Sequence, residues 1–146
     1  MLNHKNILYA VEIDDQLGDR IKKLIAQVGD QKLKLHVYHV VKTVIAAYGY
    51  NVRFMAGDPT LNIERKLQAK AETQLKAIFC DTQLKNVDWS VEISDSPKAE
   101  IIDKAKEINA DAIYLNGHNH NVIARLGSVA DYVINHSDKD VVILKS

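Results

Sequence analysis

Ile113-Tyr114-Leu115-Asn116-Gly117-His118-Asn119-His120, followed by Leu126-Gly127-Ser128, is the stretch that decides the fold. A short apolar strand, Ala112 to Leu115, runs into a glycine and a polar loop. Beyond the loop, Val122, Ile123, Leu126, Val129, Ala130, Val133 and Ile134 mark an amphipathic helix. In an open α/β sheet this is where a phosphate is held, because helix N-terminal amides point into the loop. Yet His118 and His120 stand where a phosphate cradle uses small residues.

Working outward, the rest of the chain alternates in the same way. Asn6 to Val11 is a continuous apolar run, as expected of a strand buried on both faces. Leu17, Ile21, Leu24, Ile25 and Val28 recur at helical spacing before Gly29. Leu33 to Val41 predicts a second strand, and Val87 to Ile93 a third. Between them Asp58-Pro59 opens a long helix whose core stripe is expected to be Ile63, Leu67, Ala71, Leu75, Ile78 and Phe79. Ser96-Pro97 opens another by the same cap chemistry, with Ile101, Ile102, Ala105 and Ile108 inward. Val141 to Leu144 is the fifth strand. Strands alternating with helices give a parallel sheet, covered on both faces and joined by right-handed crossovers. Lys42 to Gly57 has no clean period and is read as an excursion. In related folds such a segment lies over the C-terminal strand ends, where Tyr48, Tyr50 and Phe54 would line a pocket for a small molecule.

Composition limits the function classes. The 146 residues fit one domain burying about 70% of its unfolded surface. Nineteen basic and nineteen acidic residues cancel, so no basic excess argues for nucleic acid or a membrane surface. No apolar run approaches the roughly 20 residues of a membrane span. The N-terminus leads straight into a strand, so no signal peptide is expected. A single cysteine, Cys80, suits a reducing cytoplasm.

Several motifs together resemble the universal stress proteins. Ile7-Leu8-Tyr9-Ala10-Val11-Glu12 is similar to their first strand, closed by an acid, and Tyr38-His39-Val40 to the end of their second. Ala110-Asp111 leads into Ala112 to Gly117 as their fourth strand does, and Gly127-Ser128 and Asp140-Val141-Val142-Ile143 complete the pattern. The resemblance implies a single domain over residues 1–146 with an open five-stranded parallel sheet of order 3-2-1-4-5, Rossmann-like, with helices on both faces. It also implies a two-fold homodimer through the edge strand Val141, Val142, Ile143 and Leu144, an uncapped apolar edge that templates its own copy.

That family contains ATP-binding members, whose loop is glycine, two residues, glycine, nine residues, then glycine with serine or threonine, and A-type members that lack it. Here Gly117 matches the first glycine and Gly127-Ser128 the last pair, but His120 replaces the second glycine. Only six residues separate His120 from Gly127. The lost residues shorten the loop by up to about 10 Å of extended chain, and a histidine restricts the φ that lets amides approach a phosphate. The match favours the A type. The expectation is a cytoplasmic, dimeric, non-enzymatic stress-response or regulatory protein, acting through protein partners the sequence does not name, with no ATP. The rival is a nucleotide-binding member, an ATP binder or slow ATPase, with Glu12, Val40, Gly117, Gly127 and Ser128 around the ligand. Lys42 and Arg125 are its only evident counter-charges, and Asp14 and Asp15 add negative charge.

Other chemistries read more simply as structure. His118 with His120, and His36 with His39, have no cysteine or carboxylate cluster at matching spacing for a metal. Glu12, Asp14, Asp15 and Asp95 superficially suggest a phospho-receiver, but Lys145 is penultimate and Asp14 or Asp15 serves as a helix cap. Ser128 lacks a base and an oxyanion hole and reads as a small residue early in a helix. Cys80, beside Phe79 at a helix end, is expected to be at least partly buried. Trp89 and the tyrosines have no basic interleaving for base stacking.

Overall fold

The computed structural model describes residues 4–28, 33–48, 60–80, 86–117 and 127–145. In chain order these form β1 (Asn6–Ala10), α1 (Leu17–Val28), β2 (Lys34–Lys42), α2 (Val44–Tyr48) and α3 (Thr60–Phe79). Then come β3 (Val87–Ser94), α4 (Pro97–Glu107), β4 (Ala112–Asn116), α5 (Gly127–His136) and β5 (Asp140–Leu144). The strands make one five-stranded sheet in the order β3-β2-β1-β4-β5. Every neighbouring pair is parallel. This is the expected order, and it leaves β5 paired on one side only.

β1 is central, which explains its uninterrupted apolar run. Its side chains alternate between two cores. Ile7, Tyr9 and Val11 pack with Leu17, Ile21 and Leu24 of α1 and with Ala71 and Leu75 of α3. Leu8 and Ala10 pack with Tyr38, with Ile101, Ile102 and Ala105 of α4, and with Ala130 and Val133 of α5. Each fully buried Leu or Ile side chain here contributes roughly 1.5–3 kcal/mol.

The Ala110-Asp111 entry to β4 has a structural reason. Asp111 Oδ2 accepts the backbone N–H groups of Lys5 at 2.8 Å and Asn6 at 3.0 Å, tying the start of β1 to the start of β4. Those two donors hold the Asp111 carboxyl below the usual aspartate range. Asp14 lies two residues before the N-cap position Gln16 of α1, not at it, and its Oδ1 accepts the Gln16 N–H at 2.9 Å in an Asx turn that leads into the helix.

Five expectations need correction. The excursion after Lys42 contains the short helix α2, and Val44, at its first position, is buried. In α3 the inward stripe is not the one apolarity suggests: Ala71 and Leu75 are buried, but Ile63 and Leu67 are 41% and 45% exposed. Glu64 takes the inward position, accepting the Val44 N–H at 2.8 Å, and Gln68 Nε2 donates to the Val91 carbonyl at 3.1 Å. Both inward polar groups are therefore paired. Ser96 stands at the N-cap of α4 with Pro97 following, but its side chain makes no capping bond. Instead Ser94 Oγ accepts the Ser96 N–H at 3.1 Å. Ile134 of α5 is 43% exposed rather than inward. Cys80 is exposed, its thiol donating to the Ala77 carbonyl one turn back. The expected roles of Gly29, Asp58, Pro59, Tyr50 and Phe54, and of Val122, Ile123 and Leu126, fall outside the described residues.

Candidate functional site: a cavity at the β1–β4 switch point

The order β3-β2-β1-β4-β5 reverses direction between β1 and β4, and ligands of open α/β sheets bind at the carboxyl ends of such strands. A cavity of about 240 Å³ lies there. β1 and the turn after it contribute Ala10, Val11 and Glu12, and β2 contributes Tyr38 and Val40. Leu115, Asn116 and Gly117 enter from the end of β4. Pro97 and Ile101 of α4 and Val129 and Ala130 of α5 supply an apolar wall. Of the five residues expected around a nucleotide, Glu12, Val40 and Gly117 line this space. Gly127 and Ser128 do not, although the same helix reaches it one residue later at Val129.

The two glycines earn their places differently. Gly117 is not in the left-handed region. Its N–H donates to the Leu144 carbonyl at 2.8 Å. A Cβ there would stand 3.2 Å from Ile143 Cγ2, so a side chain would fit only if Ile143 gave way by a few tenths of an ångström. Gly127, with φ of 80°, adopts a backbone conformation that only glycine takes readily.

Charge in the cavity is net acidic among the described residues. Glu12 and Asp14 line it, against the single guanidinium of Arg20. Arg20 Nη1 donates to Asp14 Oδ2 at 2.8 Å, and Nη2 reaches Gln16 Oε1 at 3.3 Å. The Arg20 bond is the main reason the Asp14 carboxyl titrates below the usual aspartate range. Arg20 was not anticipated as a counter-charge. The signal was its position one turn into α1, close behind Asp14. Lys42 is exposed and does not line the cavity, while Arg125, His118 and His120 lie outside the described residues.

Beside the cavity, Tyr38 is fully buried and its hydroxyl donates to Glu92 Oε2. Burial, reinforced by Glu92, raises the Tyr38 phenol well above its ordinary range. Lys104 Nζ lies 3.5 Å from Glu92 Oε1 and 3.6 Å from Glu107 Oε2. His36 and His39 do not converge. His36 Nε2 pairs with Ser90 Oγ at 2.8 Å, and His39 Nδ1 donates to the Val11 carbonyl at 2.8 Å. Burial, with Lys104 nearby, lowers the His36 pKa. Among the described residues no three His, Cys, Asp or Glu side chains gather as metal ligands would. The acidic residues do not all meet at the cavity: Glu12 and Asp14 line it, whereas Asp95 does not and accepts the Thr43 hydroxyl. No helix among the described residues is long and apolar enough to cross a membrane.

Comparison with known proteins agrees with this geometry. Universal stress protein A homolog 1 from Coxiella burnetii is 23% identical over 141 residues, which is 96% of this chain and 95% of that one. The structure of universal stress protein UspA from Lactobacillus plantarum superposes with a TM-score of 0.69 at 22% identity, covering 99% of each chain. That of the universal stress protein from Archaeoglobus fulgidus in complex with dAMP gives 0.56 at 19% identity, over 97% of this chain and 98% of that one. The model of the universal stress protein family matches residues 3–145, so the chain belongs to that family.

Proposed function

We propose that this chain is a non-enzymatic, cytoplasmic stress-response or regulatory member of its family that does not bind ATP and acts as a homodimer on protein partners. The observation that carries this reading is the charge of the cavity. Among the described residues its two carboxylates, Glu12 and Asp14, face one guanidinium that Asp14 already holds. A triphosphate would bring further negative charge against Glu12 and would have to compete with Asp14 for Arg20. The same loop also lacks a second glycine and is short in sequence. The homodimer is supported by β5, whose Val141, Val142, Ile143 and Leu144 stay half-exposed on an edge that pairs only with β4.

One observation favours a second reading, a mononucleotide binder. Glu12, Val40 and Gly117 do share a cavity at the switch point, and the Archaeoglobus fulgidus relative is a dAMP complex. A mononucleotide carries fewer phosphate charges and needs less of the loop. Two measurements separate the readings. Freshly purified protein should show no excess absorbance at 260 nm and release no nucleotide on denaturation. Titration with dAMP should give no saturable heat. Co-purifying nucleotide, or a micromolar Kd for dAMP, would replace the first reading with the second.

A further inference from the structure

A second cavity, of about 430 Å³, lies on the opposite face of the same sheet end, between α1 and the ends of β4 and β5. Arg20 and Asn116 line both cavities, so they stand back to back. Its charge is the reverse of the first. Among the described residues Arg20, Lys23 and Lys145 line it against one carboxylate, Asp19, in a chain with nineteen basic and nineteen acidic residues in all. Among the described residues, neither Lys23 nor Lys145 has a carboxylate within ion-pair distance. Arg20 Nη1 is committed to Asp14, but its Nε is buried with no hydrogen-bond partner. Tyr9 donates its hydroxyl to Asn116 Oδ1 at 2.8 Å, which fixes the amide and leaves its N–H groups without a partner among the described residues. Leu24, Ile143 and Leu144 add an apolar wall.

We propose that this second cavity binds a small multivalent organic anion. Its phosphate or carboxylate group would meet Lys23 and Lys145 through charge-assisted hydrogen bonds, and its apolar part would lie on Leu24 and Leu144. Converging cations in a concave, partly apolar wall concentrate an anion there more than scattered surface lysines do. The site does not depend on nucleotide binding at the first cavity.

The test is an amide-shift titration of the ¹⁵N-labelled protein, in its own oligomeric state, with inorganic pyrophosphate and separately with citrate. Sodium chloride holds ionic strength constant. The expected result is saturable shifts centred on the Gln16–Gln27 stretch of α1, Asn116 and Ile143–Lys145. Saturation by pyrophosphate alone identifies a phosphate site, by citrate alone a carboxylate site, and by both a general site for multivalent anions. Replacing Lys23 and Lys145 together by glutamine should weaken binding at least tenfold. Both are exposed, so folding should be unaffected, and Lys22→Gln with Lys66→Gln removes equal charge elsewhere and should leave affinity within twofold. Shifts that do not saturate with either probe, that centre on Val40 and Ile101, or that persist unchanged in the Lys23/Lys145 variant would overturn the proposal.

Discussion

Glu64 is 4% exposed, and its Oε1 accepts the N–H of Val44, itself 3% exposed, at 2.8 Å. Glu64→Ala leaves that buried N–H without an acceptor, at a cost of about 1–3 kcal/mol. Part of this is offset because the native state no longer holds a desolvated carboxylate. Unfolding entropy near 2.1 cal/mol/K per residue gives about 0.3 kcal/mol/K for 146 residues, so the loss corresponds to a Tm lower by about 3–10 °C. Glu64→Gln keeps an acceptor oxygen on a side chain of the same length and should lose less than half as much. Calorimetry supplies the global number, and hydrogen exchange at Val44 supplies the local one. In Glu64→Ala that amide should exchange at least tenfold faster than in the parent. A Tm within 1 °C of the parent together with unchanged Val44 exchange would refute this role for Glu64.

The rotation of α3 makes a sharper comparison. Leu75→Ala empties a fully buried position and should cost about 2–5 kcal/mol, whereas Leu67→Ala should stay within about 0.5 kcal/mol; equal losses in urea denaturation would contradict the inward stripe. Asp111 predicts a pH dependence: its folded pKa is depressed, so its stabilisation is present above the unfolded aspartate value and lost as pH falls through the folded one. Asp111→Asn should therefore be less stable than the parent at pH 7, with a gap that narrows as pH falls below the unfolded aspartate value, and a gap that widens on acidification would count against the two amide bonds. Val142→Lys with Leu144→Lys places charge on the β5 edge and should convert a dimer to a monomer in sedimentation velocity; an intact dimer would exclude that seam.

The strands were legible because their sequence pattern and their burial agree. After Asn6, β1 is apolar and buried on both faces, and Val87, Trp89, Val91 and Ile93 alternate along the edge strand β3. The stripe of α3 was misread for a physical reason. Hydrophobic periodicity places Ile63 and Leu67 inward, but Glu64 and Gln68 occupy the same helical period with Ala71 and Leu75, and they face in because α2 and β3 offer them a backbone donor and a backbone acceptor. Such partners come from other segments and leave no mark on the local pattern. The site divided similarly. Glu12, Val40 and Gly117 follow from strand ends and family motifs, whereas Arg20 enters only because α1 carries it back across the sheet end to Asp14. Gly117 was legible as the glycine that ends β4, but its close neighbour Ile143 comes from a strand 26 residues later and leaves no mark on the local pattern.

Titration calorimetry of the parent protein with ATP and Mg²⁺ tests the central claim most directly. A cavity that is acidic among the described residues, with their one guanidinium held by Asp14, predicts no saturable heat up to about 1 mM ATP, weaker than about −4 kcal/mol of binding. A micromolar Kd for ATP would contradict it.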